Sequence, residues 1–351
     1  MDFEYPFPST GIGSFPHKDG KEAIRLILKN FPKIPFWPQL PNRSFLEGMV
    51  TQYSEGFPGL KWGEEERRVW VDTTSQKFVQ EVEAFYQRLE NGELESFHIT
   101  SDFAQGLQII EDLALKKPLV SRGYIKGQIT GPITFGLSLT DQERKPIFYD
   151  PTLKEILIKH LSLKAQWMEK RFNDLLPDLK TILFFDEPSL SAFGSAFSSL
   201  NREEVILTLN ECFNAVKGLK GVHCCGNTDW GLLLETDLNI LSFDAYGYFE
   251  TVALYPKELR AFLERGGILA WGIVPTNEAI QKEDAESLVR RFKEGLKALS
   301  QKGIDPVLLK RAIVTPSCGT ASLSVPLAER VCQVTAEVSK MLQEESKIQC
   351  G

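Results

Sequence analysis

Residues 181–190 read TILFFDEPSL. The first five are rich in β-branched and aromatic residues and mostly apolar on both faces, as a strand buried on both sides of a sheet requires. Two acids and a proline then end the run. An amphipathic helical pattern precedes it over residues 153–176 and another follows over residues 202–219. Strands alternating with helices of this length point to a parallel sheet with crossover helices.

The alternation extends along the chain. Further predicted strands are TGIGSF (10–15), SFHIT (96–100), GYIKGQI (123–129), GVHCC (221–225), NILSF (239–243), ILAWGI (268–273) and AIVTPS (312–317). Helical patterns cover residues 21–31, 76–90, 285–303 and 326–345. Asn201 is placed to cap one helix and Gly303 to end another. Eight strands alternating with helices predict an α/β fold, a single (β/α)8 barrel over residues 1–351. A doubly wound open sheet is the alternative, and the lack of a GxGxxG after the first strand weakens its dinucleotide-binding form. Residues 32–75 are long for the first βα loop. The prolines of FPKIPFWPQLPNRSF exclude a regular helix there. An ordered cover over the barrel mouth is expected.

Composition narrows the function. Hydrophobic residues make up 42% of the 351 and charged residues 25%, the balance of a soluble globular chain. A net charge of −7 without a basic block argues against nucleic acid or an anionic membrane as partner. No apolar run reaches the roughly 18 residues of a membrane span. The acidic, proline-rich N-terminus lacks the basic region of a secretory signal, so a cytoplasmic location is expected. Six cysteines are too few for a disulfide scaffold, and their clustering points to metal binding or catalysis.

That cluster is GVHCCG (221–226). Side chains of a strand alternate between faces, so His223 and Cys225 share one face and Cys224 takes the other. Both lie near the C-terminal end of their strand, where barrels carry their sites. Cys318, in TPSCGTASL, stands at the end of the last predicted strand. One imidazole and two thiolates suit a zinc ion that keeps an exchangeable position. Asp244, at the end of the next strand, is the candidate fourth ligand, with Glu250 the alternative. HxC by spacing alone leaves a buried-thiol reading equally open. Cys212, Cys224, Cys332 and Cys350, and His17, His98 and His160, have no such placement. Two thiolate ligands favour keeping a bound thiol nucleophilic over activating water.

Five motifs then occur in order: IGSFP (12–16), TGPIT (130–134), DEPSL (186–190), HCC (223–225) and PSCG (316–319). With these the chain resembles, over nearly its whole length, the C-terminal catalytic barrel of cobalamin-independent methionine synthase. Its superfamily includes uroporphyrinogen decarboxylase and corrinoid-to-thiol methyltransferases. The resemblance implies a zinc ion held by His223, Cys225 and Cys318, with Asp244 where the family usually carries Glu. It implies that Ile12, Gly13 and Ser14 hold the carboxylate of homocysteine. Asp186, as the catalytic acid, would pair with the ammonium, with Glu187 beside it in the substrate site. The implied reaction is methyl transfer to the homocysteine thiol, giving methionine.

Two departures bear on the methyl donor. The family's barrel carries a histidine in the segment matching AWGIVPTNEAI (270–280), and no histidine follows His223 here. Thr51 or Gln52 stands where a substrate-binding carboxylate is found. The expectation is therefore a methylcorrinoid donor in place of methyltetrahydrofolate, delivered by a corrinoid protein that meets the aromatic stretches 31–41 and 245–249. The same chemistry on another thiol such as coenzyme M, a uroporphyrinogen decarboxylase-like activity, and a non-catalytic corrinoid-binding or metal-storing role remain alternatives.

Overall fold

The computed structural model of the chain describes residues 6–63, 65–116, 119, 123–194 and 199–348. Cys350 lies outside them. In chain order the strands are β1 (Leu60–Gly63), β2 (Arg68–Val71), β3 (Gly123–Thr130), β4 (Thr140–Asp141), β5 (Leu179–Asp186), β6 (Leu219–Cys224), β7 (Ile240–Phe243), β8 (Ile268–Val274) and β9 (Ala312–Pro316). Strands β3 and β5 to β9 form one parallel sheet in the order β3-β5-β6-β7-β8-β9, and β1, β2 and β4 a small separate sheet. The larger sheet contains six of the eight expected strands.

The other two differ from expectation. Residues 96–100 form no strand, because Leu94–Phe97 is a 3₁₀ helix. Residues 10–15 are wall, but irregular: Thr10 N donates to Val314 O of β9, and Val314 N to Pro8 O. The missing second stave is the proline-rich segment 33–39. Tyr124 N and Lys126 N of β3 donate to Lys33 O and Pro35 O, while Gln39 N donates to Gly13 O and Phe15 N to Gln39 O. Hydrogen bonds thus run from β9 through both irregular segments to β3, and the sheet closes on itself. Pro35 and Pro38 have no N–H to give a ladder, so the pairing along segment 33–39 is interrupted and shows no strand period. The long stretch 32–75 therefore divides. Its first part is barrel wall, and Pro41, Glu47 and Met49 beyond it reach the mouth.

Period-two alternation sorts the strand side chains into two layers. Ile182, Phe184, Leu219, Ile240, Ile268 and Ile313 form one buried cluster together with Tyr124 and Ile34, the filling of the barrel interior. Their neighbours Leu183, Phe185, Val222, Leu241, Leu269 and Val314 belong to the larger cluster between sheet and helices. Each such side chain stabilises by about 1.5–3 kcal/mol when fully buried. Cys224 falls in the outer layer and is 0% exposed. His223, one residue earlier, faces inward.

Helices cover the outside, and their ends follow local chemistry. Asp150 caps Pro151–Leu175, with Pro151 at the first helical position. The expected cap at Asn201 accepts from Glu204 N. Gly303 takes φ +83° just past Ala285–Gln301, a turn that favours glycine. Short helices Pro132–Ser138, Trp230–Glu235 and Ala245–Val252 start at strand ends and were too brief for periodicity to reveal. Among the described residues no helix is long and apolar enough to cross a membrane.

Candidate active site

The C-terminal ends of the parallel strands bring the cluster together. Asp186, the last residue of β5, is the register partner of His223 on β6, and His223 that of Ser242 on β7. Cys225 follows one residue past β6, and Cys318 two past β9. The ligating atoms of His223, Cys225 and Cys318 all lie within 4.8 Å of one another. A tetrahedral ion with bonds of about 2.0–2.3 Å holds its ligand atoms about 3.5–3.8 Å apart, so closing around one needs shifts of no more than about 1 Å. His223 is 3% exposed. Its Nδ1 lies 3.0 Å from Ser242 Oγ, and its Nε2 is buried without a hydrogen-bond partner. An imidazole steered through one nitrogen, with the other left bare toward two sulfurs, fits a metal ligand.

The two thiols differ in their proton affinity. The Cys318 thiol beside it, and next the His223 imidazole, hold the Cys225 thiol down to about 4. The same contact with Cys225, with burial second, pushes Cys318 well up. Cys225 is thus the thiol disposed toward thiolate, the form that binds metal. Cys212, Cys224 and Cys332 are buried and pushed up to about 12, and lie in the packing.

Asp244 does not join the three. Its carboxylate accepts from Gly247 N at 2.7 Å and caps the helix Ala245–Val252. The sequence placed it correctly at the strand end, where a strand-end acid before a helix serves as its cap, while the charges of His223 and Cys225 still act on it. Glu250, its alternative, is exposed and lines a different hollow, beside Trp271 and Arg291.

The cluster opens into a cavity of about 230 Å³. Ile12, Ser14, Gln39, Pro41, Glu47, Met49, Asp186 and Gly319 line it together with His223, Cys225 and Cys318. It is not the largest hollow: one of about 540 Å³ lies beside His98 and Arg171, remote from these groups. Asp186 is 5% exposed, and its Oδ1 has no partner. Burial pushes its carboxyl up to about 6, against the opposing pull of His223 and Lys126. An unpartnered buried acid at a cavity wall is costly unless a ligand supplies the partner.

The first stave presents the other polar face. Ser14 O accepts from Thr320 N, and Gly13 O from Gln39 N. Among the described residues, the N–H groups of Ile12 and Ser14 find no protein acceptor. A Cβ on Gly13 would stand 2.7 Å from Gln39 Oε1, and one on Gly319 would stand 2.0 Å from Ser14 Oγ. Glycine at both positions lets the turn and the hydroxyl sit where they do.

Glu187 turns away from the cavity, contrary to its expected substrate role. Its oxygens accept from Ile133 N and Thr134 N at 2.9 and 2.7 Å, at the start of Pro132–Ser138. Burial pushes it up to about 7. Gln52 is likewise spent within the protein, donating to Phe103 O and accepting from Gln39. His160 is core: its Nε2 lies 2.8 Å from Tyr53 O, among Phe57, Phe85 and Phe135. The sequence reading missed Ser242, Glu47 and Lys126. For Lys126 a signal was present, since a lysine within the apolar strand GYIKGQI has no solvent to reach.

No protein-family model matches the chain, and no curated protein matches its sequence. Solved structures do match. One is a B12-independent methionine synthase from Shewanella sp. W3-18-1 in complex with selenomethionine, at 15% identity, TM-score 0.63, covering 98% of this chain and 99% of that one. Another is a putative vitamin-B12 independent methionine synthase from Listeria monocytogenes, at 15% identity, TM-score 0.56, covering 96% and 98%. The chain has the fold of these methionine synthase barrels.

Proposed function

We propose that the chain, working as a single barrel over residues 1–351, is a zinc-dependent methyltransferase acting on the thiol of homocysteine to make methionine. The observation that carries the reading is the meeting of His223, Cys225 and Cys318 at one wall of a cavity whose other walls bear Asp186 and residues 12–14. His223, Cys225 and Cys318 would hold the ion. Bound there, zinc keeps a thiol deprotonated at neutral pH, the nucleophilic form. The reaction forms one S–C bond on the acceptor, breaks the donor's bond to its methyl group and releases the thiol proton.

The chain's own residues orient the acceptor. Asp186 Oδ1 receives the ammonium as a charge-assisted partner. The free N–H groups of Ile12 and Ser14, with the Ser14 hydroxyl, receive the carboxylate. The sulfur at the far end of the side chain is then directed at the thiol-imidazole cluster, and such positioning is the main contribution a protein makes to an in-line transfer. The Shewanella structure was solved in complex with selenomethionine, an amino acid of the size that a cavity of about 230 Å³ suits. Two sulfurs and an imidazole speak against the uroporphyrinogen decarboxylase alternative, which needs no such set.

For the donor, a methylcorrinoid brought by a partner protein draws no support from neighbours described as independent of B12. Methylcobalamin and methyltetrahydrofolate are therefore assayed side by side, with homocysteine and with coenzyme M as acceptors. The expected result is one zinc per chain, methionine formed from homocysteine, and both lost in Cys318→Ala. An unchanged metal content in that variant overturns the proposal.

A further inference from the structure

Lys126 is fully buried inside the barrel. Its ammonium lies 4.7 Å from the centre of the Phe184 ring and 5.3 Å from that of Phe36. It donates to Ile12 O at 2.6 Å and, more weakly, to Gln128 Oε1 at 3.3 Å. Aromatic faces offset part of the cost of burying a cation, but an apolar side chain would fill the same layer without that cost. A lysine here therefore needs a reason beyond stability.

The reason lies in its strongest partner. The first stave is bridged to β9 at Ser9 and to segment 33–39 at Ser14. Between those bridges, at Gly11 and Ile12, the backbone has no ladder to hold it. The Ile12 carbonyl is held by Lys126 instead. Because the peptide unit is planar, gripping that oxygen also sets the direction of the Gly13 N–H and the dihedral angles on either side. Those angles join the Ile12 N–H to the next plane, whose Gly13 carbonyl Gln39 N holds and which carries the Ser14 N–H, so Lys126 and Gln39 together fix the turn.

We propose that Lys126 is a positioning residue for the carboxylate end of the substrate: from below the cavity it holds residues 12–14 in the shape that receives the anion. This rests on the reading of the cavity as an amino-acid site. Its positive charge, on the inner side of that turn, also favours an anion above it, while Asp186 nearby attends to the ammonium.

The test is calorimetric titration of zinc-loaded wild type, Lys126→Met and Lys126→Gln with two ligands: L-methionine, and 3-(methylthio)propylamine, which lacks the carboxylate. Thermal melts and zinc content confirm that fold and cluster persist. Lys126→Met is expected to weaken methionine by about tenfold, the scale of one charge-assisted hydrogen bond, and to leave the amine within about twofold. Lys126→Gln, which keeps a neutral donor, is expected to lie between. If the Met variant gives no cooperative melt, the Gln variant decides by the same comparison. Equal weakening of both ligands, or of neither, overturns the inference while leaving the site reading standing. Failure of the wild type to bind methionine overturns both.

Discussion

Asp186 and His223 face each other as register partners on neighbouring parallel strands, and each carries one buried atom without a protein partner, Oδ1 and Nε2. Two orphaned polar atoms side by side in a barrel mouth are hard to explain by stability, because each costs the desolvation of an unmade bond. Under the proposed function each takes a different guest: a metal ion for the imidazole, a substrate ammonium for the acid.

The metal side separates an acid and a hydroxyl. Ser242→Ala removes the group that steers His223 and is expected to lower zinc affinity about 10- to 100-fold, read by competition with a chelator. Asp244→Ala is expected to keep zinc at wild-type affinity and to cost about 1 kcal/mol of stability as a lost helix cap. Zinc loss in Asp244→Ala would restore it as a fourth ligand.

The ammonium side is tested at Asp186. Asp186→Asn keeps the shape and removes the charge, and is expected to weaken methionine binding by about 1.5–3 kcal/mol, the range for a hydrogen bond to a charged group. Binding of 4-(methylthio)butanoate, which has no ammonium, should not fall. Zinc content should stay at one per chain, and a drop in zinc would assign Asp186 to the metal instead.

Glu187 is predicted to act on stability alone. Glu187→Ala leaves the N–H groups of Ile133 and Thr134 buried without acceptors, a loss of about 2–4 kcal/mol, with methionine affinity unchanged. Its carboxyl sits at about 7 in the fold against 4.5 ordinarily. Between those values the folded chain holds the extra proton, so this residue's contribution falls as pH rises from 4.5 to 7. Glu187→Gln has no such proton to lose and should gain on the wild type over that window, by on the order of 3 kcal/mol. A pH-independent difference in denaturant midpoints would refute the assignment.

Lys126 works in the opposite direction. Burial lowers its ammonium to about 8 from 10.5, so above pH 8 the unfolded chain binds more protons than the folded one. The wild type therefore recovers stability as pH climbs from 8 to 10.5. Lys126→Met is expected to melt higher than wild type at pH 7, and its advantage should shrink across that window by on the order of 3 kcal/mol. A Met variant less stable than wild type at pH 7 would mean that the lysine is there to hold the fold.

Short-range patterns were enough for much of this. The period-two alternation of GVHCC put His223 and Cys225 on one face and Cys224 on the other, as found. Apolar runs marked all six regular strands of the sheet, side-chain type at their ends marked Cys225 and Cys318, and the family resemblance singled out Asp186. Where a residue type has two uses, the local pattern could not choose. An acid between strand and helix is a ligand or a cap: Asp244 caps the helix that follows it, while Glu187 reaches across to the start of Pro132–Ser138.

What the sequence by itself determined is therefore the alternation, the inward face of each regular strand and the residue types at the mouth, because these depend on neighbours a few positions apart. The tertiary structure alone decided how the barrel closes, which acid stays unpartnered and what Lys126 grips. Segment 33–39 is wall only because β3 and residues 13–15 supply the hydrogen bonds its prolines cannot. Lys126 reaches a carbonyl 114 positions away in sequence. Contacts of that span leave no periodic trace along the chain, since their partners are set by the curvature of the whole sheet.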